Sequence, residues 1–243
     1  RCRVDDPVMD ASTDIVVGVD RRGHTVVRRM KCEAPTLVRV VGGSGPQLQL
    51  AMVGGAAGPL GGDRLCFRLE LEAGAQLSVR AVAAAMAQPG PHAAPSHLSI
   101  DLVVGAGANL DWRPQPTVSV VGSDHRSIVR LEAAGSSAVK MREGVSLGRH
   151  GEPPGRFALR ERVVIDGVAV LDHETVFAAG ALLGPGAQGS GRCMTSEIVI
   201  GSSLPEPVAA VTAECLSSTV HLSPICALTL TRSDHPPCCS PTV

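Results

Sequence analysis

Alternation is the dominant signal along this chain. Across residues 64–72, Leu65, Phe67, Leu69 and Leu71 fall on one side, and Arg64, Cys66, Arg68, Glu70 and Glu72 mostly on the other. A period of two marks a half-buried β-strand. Similar alternating or apolar runs predict strands at 15–19, 25–30, 37–41 and 48–53 before it, and at 77–82, 98–104, 117–121, 128–132 and 138–147 after it. Residues 162–171 read as a hairpin, because Asp166-Gly167 is a favoured two-residue type I′ turn between apolar arms. Two more strands are expected at 197–200 and 227–231, and 207–216 reads as a short helix.

A strand, a small glycine turn and a second strand recur: Leu71 to Leu77 around Gly74, Val103 to Leu110 around Gly105 and Gly107, and more loosely Leu131 to Ala138 around Gly135. The spacing of about thirty residues suits stacked supersecondary units, and hairpins of a sandwich produce it too. The expected fold is all-β, with stacked strand pairs in a β-helix-like arrangement and one or two short helices. Segments 83–96 and 179–191 read as small-residue loops and not as interdomain linkers. One domain is therefore expected across 1–243, with a loose, proline-containing tail over 232–243.

Composition narrows the chemistry. The chain has 243 residues, a net charge of -1 and 44% hydrophobic residues. Lys31 and Lys140 are its only lysines, so no polybasic face for nucleic acid is implied. The aromatic residues are Phe67, Trp112, Phe157 and Phe177, too few for a sugar or base-stacking platform. No apolar run reaches the ~20 residues of a membrane helix. Residues 1–6 lack the apolar core of a secretory signal, and the eight cysteines include no Cys-x-x-Cys pair, so reduced thiols in a cytoplasm are expected.

Catalytic patterns fail one by one. The glycine-dense loop from Gly54 to Asp63 lacks the Lys-Ser/Thr pair of a phosphate loop, and Asp63 there would repel phosphate. Gly42-Gly43-Ser44-Gly45-Pro46 misses the last glycine of a serine-hydrolase elbow. After His173-Glu174, Phe177 stands where a zinc protease needs histidine. Asp172, His173 and Glu174 offer a rival hydrolase site, yet neighbours on a strand face opposite ways. His92 and His97 lie in a loop without a supporting carboxylate; His235, Cys238 and Cys239 read either as a soft-metal cluster or as incidental thiols. Gly148-Arg149-His150-Gly151-Glu152 reads as a charged turn.

Taken in order, the motifs resemble one known family, the urease accessory protein UreD (UreH). Pro59-Leu60-Gly61-Gly62-Asp63 is similar to its Gly-Gly-Asp signature. Gly107-Ala108-Asn109-Leu110-Asp111-Trp112-Arg113-Pro114-Gln115 resembles its Gly-Ala-x-Leu-Glu-Trp-x-Pro-Gln segment. Gly148, Arg149, Gly151 and Glu152 resemble its Gly-Arg-x-x-x-Gly-Glu motif, one residue shorter. The hairpin over 157–172 follows as expected, and the resemblance spans roughly residues 35–235. One departure stands out: Ala83-Ala84-Ala85-Met86 occupies the place of a Thr-Lys-x-Tyr-Arg-like stretch.

The resemblance implies a non-enzymatic scaffold that binds UreF, through it the GTPase UreG, and docks on apo-urease, with nickel passing transiently and no cofactor held tightly. A conduit needs dispersed oxygen ligands and no tight cage. Glu152, Asp63 and Asp111 sit at the recognisable motifs and are candidates for a transient nickel path; each also reads as a turn cap. Gly61, Gly62, Asp63, Trp112, Pro114, Gly148, Arg149 and Glu152 form the structural or partner-binding motif, with Trp112 a core or interface anchor. A diverged member that keeps the fold without urease partners is the other reading, and the 83–86 departure motivates it.

Overall fold

The sequence period becomes two facing sheets in a computed structural model that describes residues 9–42, 46–91, 93–178, 191–211 and 215–233. The strands are β1 (Asp10–Val19), β2 (Thr25–Cys32), β3 (Thr36–Gly42), β4 (Gln47–Gly54), β5 (Arg64–Leu71), β6 (Gln76–Ala81), β7 (Ala85–Ala87), β8 (Ser96–Val104) and β9 (Asn109–Arg113). They continue as β10 (Thr117–Ser119), β11 (Asp124–Ala133), β12 (Ala138–Leu147), β13 (Arg156–Ile165), β14 (Val168–Phe177), β15 (Cys193–Ile200), β16 (Ala209–Val211), β17 (Cys215–Ser223) and β18 (Cys226–Ser233).

One sheet has 7 strands in the order β14-β13-β11-β8-β5-β1-β2. The other has 11, running β16-β17-β18-β15-β12-β9-β6-β4-β3, with β10 pairing β12 and β7 beside that path. From β5 to β13 the chain passes back and forth between the sheets, and each return lies parallel to the strand laid down one coil earlier. This is a stack of coils resembling a β-solenoid, flanked by antiparallel hairpins.

Register keeps the apolar positions in line. Leu71, Val104, Ala133 and Ile165 are successive partners in one sheet, and Leu77, Leu110 and Val139 in the other. All seven are buried between the sheets. Because a slip of one residue would turn each row outward, burial fixes the register. The corners repeat too. Gly74 and Gly107 take positive φ, where a Cβ is disfavoured, and the small residues after them, Ala75 and Ala108, are buried. In the looser third copy Ser137 takes the place of the alanine, and its hydroxyl donates to Ala134 O at 2.6 Å.

The 166–167 hairpin forms as expected, with positive φ at both Asp166 and Gly167. The helix expected at 207–216 does not form. Ala209–Val211 instead pairs antiparallel with Leu216–Ser218, so this stretch doubles back as a ribbon. No described residue is helical. Within the expected loop 83–96, Ala85–Ala87 forms a short strand against Thr117–Ser119. Of the loop expected over 179–191 only Gly191 is described. Of the loose tail expected over 232–243, Arg232 and Ser233 instead belong to β18, and the rest, with His235, Cys238 and Cys239, lies outside the described residues, as does His92.

Candidate functional site

The glycine loop is a brace. Gly61 packs so closely on the chain at Gly90 that a Cβ there would stand 2.5 Å from the Gly90 nitrogen, which admits no other residue without backbone movement. Gly62 takes positive φ. Asp63 is 4% exposed; its Oδ2 accepts the Leu60 amide at 2.8 Å and its Oδ1 the Met9 amide at 3.3 Å. The turn-cap role expected for Asp63 is therefore the one its geometry displays.

Alternation along β9 splits the next motif. Asp111 faces outward, with Arg80 Nη2 2.6 Å from its Oδ2 and Arg113 Nε 2.7 Å from its Oδ1. Trp112 faces inward, fully buried, and packs edge-on against Phe67 with ring centroids 5.2 Å apart. Pro114 lies in the wall of the cavity described below.

The third motif closes the end of β12. Gly148 has positive φ, and a Cβ there would meet the Glu152 carbonyl oxygen at 2.6 Å. Arg149 Nε donates to Glu152 Oε2 at 2.9 Å and its Nη2 to Oε1 at 3.0 Å. This two-pronged pair holds the Glu152 carboxyl down at about 2. Arg192, unnoticed in the sequence, fastens the same loop by donating to the carbonyls of Leu147, Arg149 and Glu152.

The three carboxylates expected on a metal path thus sit on separate elements, each engaged by arginines or backbone amides. Among the described residues no group of three His, Cys, Asp or Glu side chains is placed to hold a metal ion. Asp172, His173 and Glu174 do not converge either. Asp172 is paired by Arg160 at 2.8 and 2.9 Å, while His173 turns to the opposite face and shares a 2.8 Å hydrogen bond with Thr175 Oγ1. His97 lies exposed on the outer face of β8.

The titratable groups shifted chiefly by burial are ones the motifs did not contain. Glu143, on β12, accepts a 2.6 Å hydrogen bond from Trp112 Nε1 at its Oε1. Burial pushes its carboxyl up to about 8; the Trp112 bond opposes the rise, and the charge of Glu161 adds to it. Glu161, 2% exposed on β13, is raised to about 7 by burial, against a lowering contribution from the Ser196 hydroxyl. Glu161 Oε1 and Ser196 Oγ both lack an aligned hydrogen bond, so we read Ser196 as near the carboxyl without being well directed at it. His125 is fully buried, 2.8 Å from Ser96 Oγ through Nδ1, and burial draws it down to about 4.

Strand parity carried this information. In β12 the inward positions Val139, Met141, Val145 and Leu147 place Glu143 on the same side, and Leu159 and Val163 do so for Glu161. Beside Glu143 opens a cavity of about 300 Å³, walled by Met52, Leu65, Leu98, Ile100, Trp112 and Pro114, by the glycine loop and by Ala83–Met86.

Comparison with known proteins places these features. The family model described as UreD urease accessory protein matches residues 10–234. The urease accessory protein UreD of Streptomyces coelicolor is 37% identical over 179 residues, covering 74% of this chain and 68% of that protein. UreD of a Parafrankia species is 38% identical over 156 residues, 64% of this chain and 52% of the relative. UreD 3 of Streptomyces griseus is 40% identical over 167 residues, 67% of this chain and 64% of the relative. The chain thus spans between about half and two thirds of these relatives' own lengths. It belongs to the UreD urease accessory protein family.

Proposed function

We propose that this chain is a cytoplasmic, non-enzymatic scaffold for urease maturation. It docks on apo-urease together with UreF, receives the GTPase UreG through UreF, and assists insertion of nickel into the urease metallocentre without retaining the ion. The observation that carries this reading is the family match across 10–234, which takes in all three glycine-bearing motifs. The motifs contribute by rigidity: Asp63 and the Arg149–Glu152 pair hold their loops in one shape, which lowers the ordering cost of docking.

The fold would form one domain, with nickel meeting only dispersed oxygen donors, among them Glu152, Asp63 and Asp111. Co-expression with urease and the other accessory proteins tests the reading. The chain is expected to co-purify with UreF and apo-urease, and Glu152→Ala to lower the nickel content of the urease while circular dichroism stays unchanged. Full nickel content in that variant would remove Glu152 from the path, and failure to capture either partner would remove the scaffold.

A further inference from the structure

The cavity beside Glu143 is walled mostly by apolar residues, joined by Thr36, Gln88, Gln115 and Thr117, and Glu143 is the one carboxyl among its described lining residues. Met52, Leu98 and Ile100 contribute hydrocarbon, and among the described residues no Lys, Arg or His lines the space. Its volume of about 300 Å³ is at the lower end of small-molecule sites. Glu143 Oε1 is occupied by Trp112, whereas Oε2 receives no hydrogen bond from any described residue.

We propose that this cavity binds a small aliphatic amine, with the hydrocarbon chain against Met52, Leu98 and Ile100 and the ammonium group on Glu143 Oε2. An anion finds no positive partner among the described residues here, and a neutral hydrocarbon leaves the acid unpaired. A buried carboxylate gains most from a charged donor, since one-sided burial of a charge is unfavourable. The ammonium group takes the place of the carboxyl proton, which leaves to solvent. Trp112 adds a second donor on the other oxygen and keeps the carboxyl plane fixed. This inference concerns a ligand site and stands apart from the docking reading above.

The chain supplies its own reporter: Trp112 is the single tryptophan and there is no tyrosine. In the purified chain at pH 7, n-pentylamine is expected to shift Trp112 fluorescence saturably. Pentan-1-ol should need at least ~10-fold higher concentration, a difference of about 1.4 kcal/mol, and pentanoate should give no saturable shift. Glu143→Gln should erase the preference for amine over alcohol. Ala85→Leu, which adds bulk at the cavity's exposed wall and leaves the Glu143 side chain itself unchanged, should block both. No saturable response to the amine, equal binding of amine and alcohol, or an amine preference that survives Glu143→Gln would overturn the proposal. A Glu143-dependent response to nickel chloride alone that displaces the amine would overturn it as well.

Discussion

Two glutamates of this chain, Glu152 and Glu143, stand in opposite worlds. Glu152 lies in a surface loop, clamped by Arg149, with its carboxyl held at about 2. Glu143, nine residues earlier in the same strand-and-loop unit, faces the interior with one N–H donor and a neighbouring acid, and burial lifts it to about 8. The same side chain is thus a fixed anion at one site and a held proton at the other. The carboxylates that sequence motifs display are the ones that brace turns; the chemically unusual ones lie where apolar parity hides them.

The largest effect should come from removing the group that both packs the core and steadies Glu143. Trp112→Ala is expected to destabilise by roughly 3–5 kcal/mol, as for other buried large aromatics. Urea unfolding measures it. Trp112→Phe separates the two roles: it keeps most of the packing on Phe67 but deletes the N–H, so the Glu143 carboxyl should rise further. If Glu143 titrates unchanged in Trp112→Phe, burial alone sets its state.

The second effect is read in pH. A carboxyl raised from 4.5 to about 8 on folding binds more protons folded than unfolded between those values. Stability contributed by Glu143 is therefore full below 4.5 and falls as pH rises toward 8, and Glu161, raised to about 7, acts in the same direction. His125, lowered from 6.5 to about 4, binds fewer protons folded, so stability falls as pH drops below 6.5. The two trends oppose each other between 4.5 and 6.5. Above 6.5 the acids act alone, and Glu143→Gln should flatten the decline toward pH 8. The difference should be on the order of a few kcal/mol by the usual equivalence of one pKa unit with about 1.4 kcal/mol. Thermal unfolding from pH 5 to 8.5 shows it. Identical slopes for wild type and variant would mean that Glu143 is already ionised in the fold.

These contrasts explain what could be read from the chain unaided. The solenoid was legible because alternation and the repeated Gly74 and Gly107 corners are local properties that each coil states for itself. The ribbon of β16 and β17 was not. Residues 207–216 carry alanines and apolar positions that suit a helix, and pairing with the Ser/Thr-rich arm, itself tied through β18 to the distant strand β15, overrides that preference. For the site, the motif residues were legible as turns, and Asp63 and Glu152 behave as such. Glu143 escaped because Arg142, Glu143 and Gly144 interrupt an apolar run and look like its solvent side. Only the unbroken parity from Val139 to Leu147 reveals that Glu143 points in. Arg192 escaped for a different reason, since its partners are carbonyls some forty residues away that no sequence pattern advertises.

The smallest effect sharpens the surface half of the contrast. Arg149→Gln removes the guanidinium that holds the Glu152 carboxyl down, while the Arg149 backbone amide still donates to it at 3.1 Å. A depressed carboxyl contributes stability above its unfolded value of 4.5 and loses it as pH falls toward 2, so wild type should weaken more steeply than Arg149→Gln in that acid range. At pH 7 their melting temperatures should nearly coincide, because an exposed pair is screened by water and salt. NMR titration of the Glu152 side chain should place its midpoint clearly higher in the variant. A midpoint still near 2 would give the backbone amide, and not the arginine, control of that loop, and would make Glu152 a brace of the same kind as Asp63.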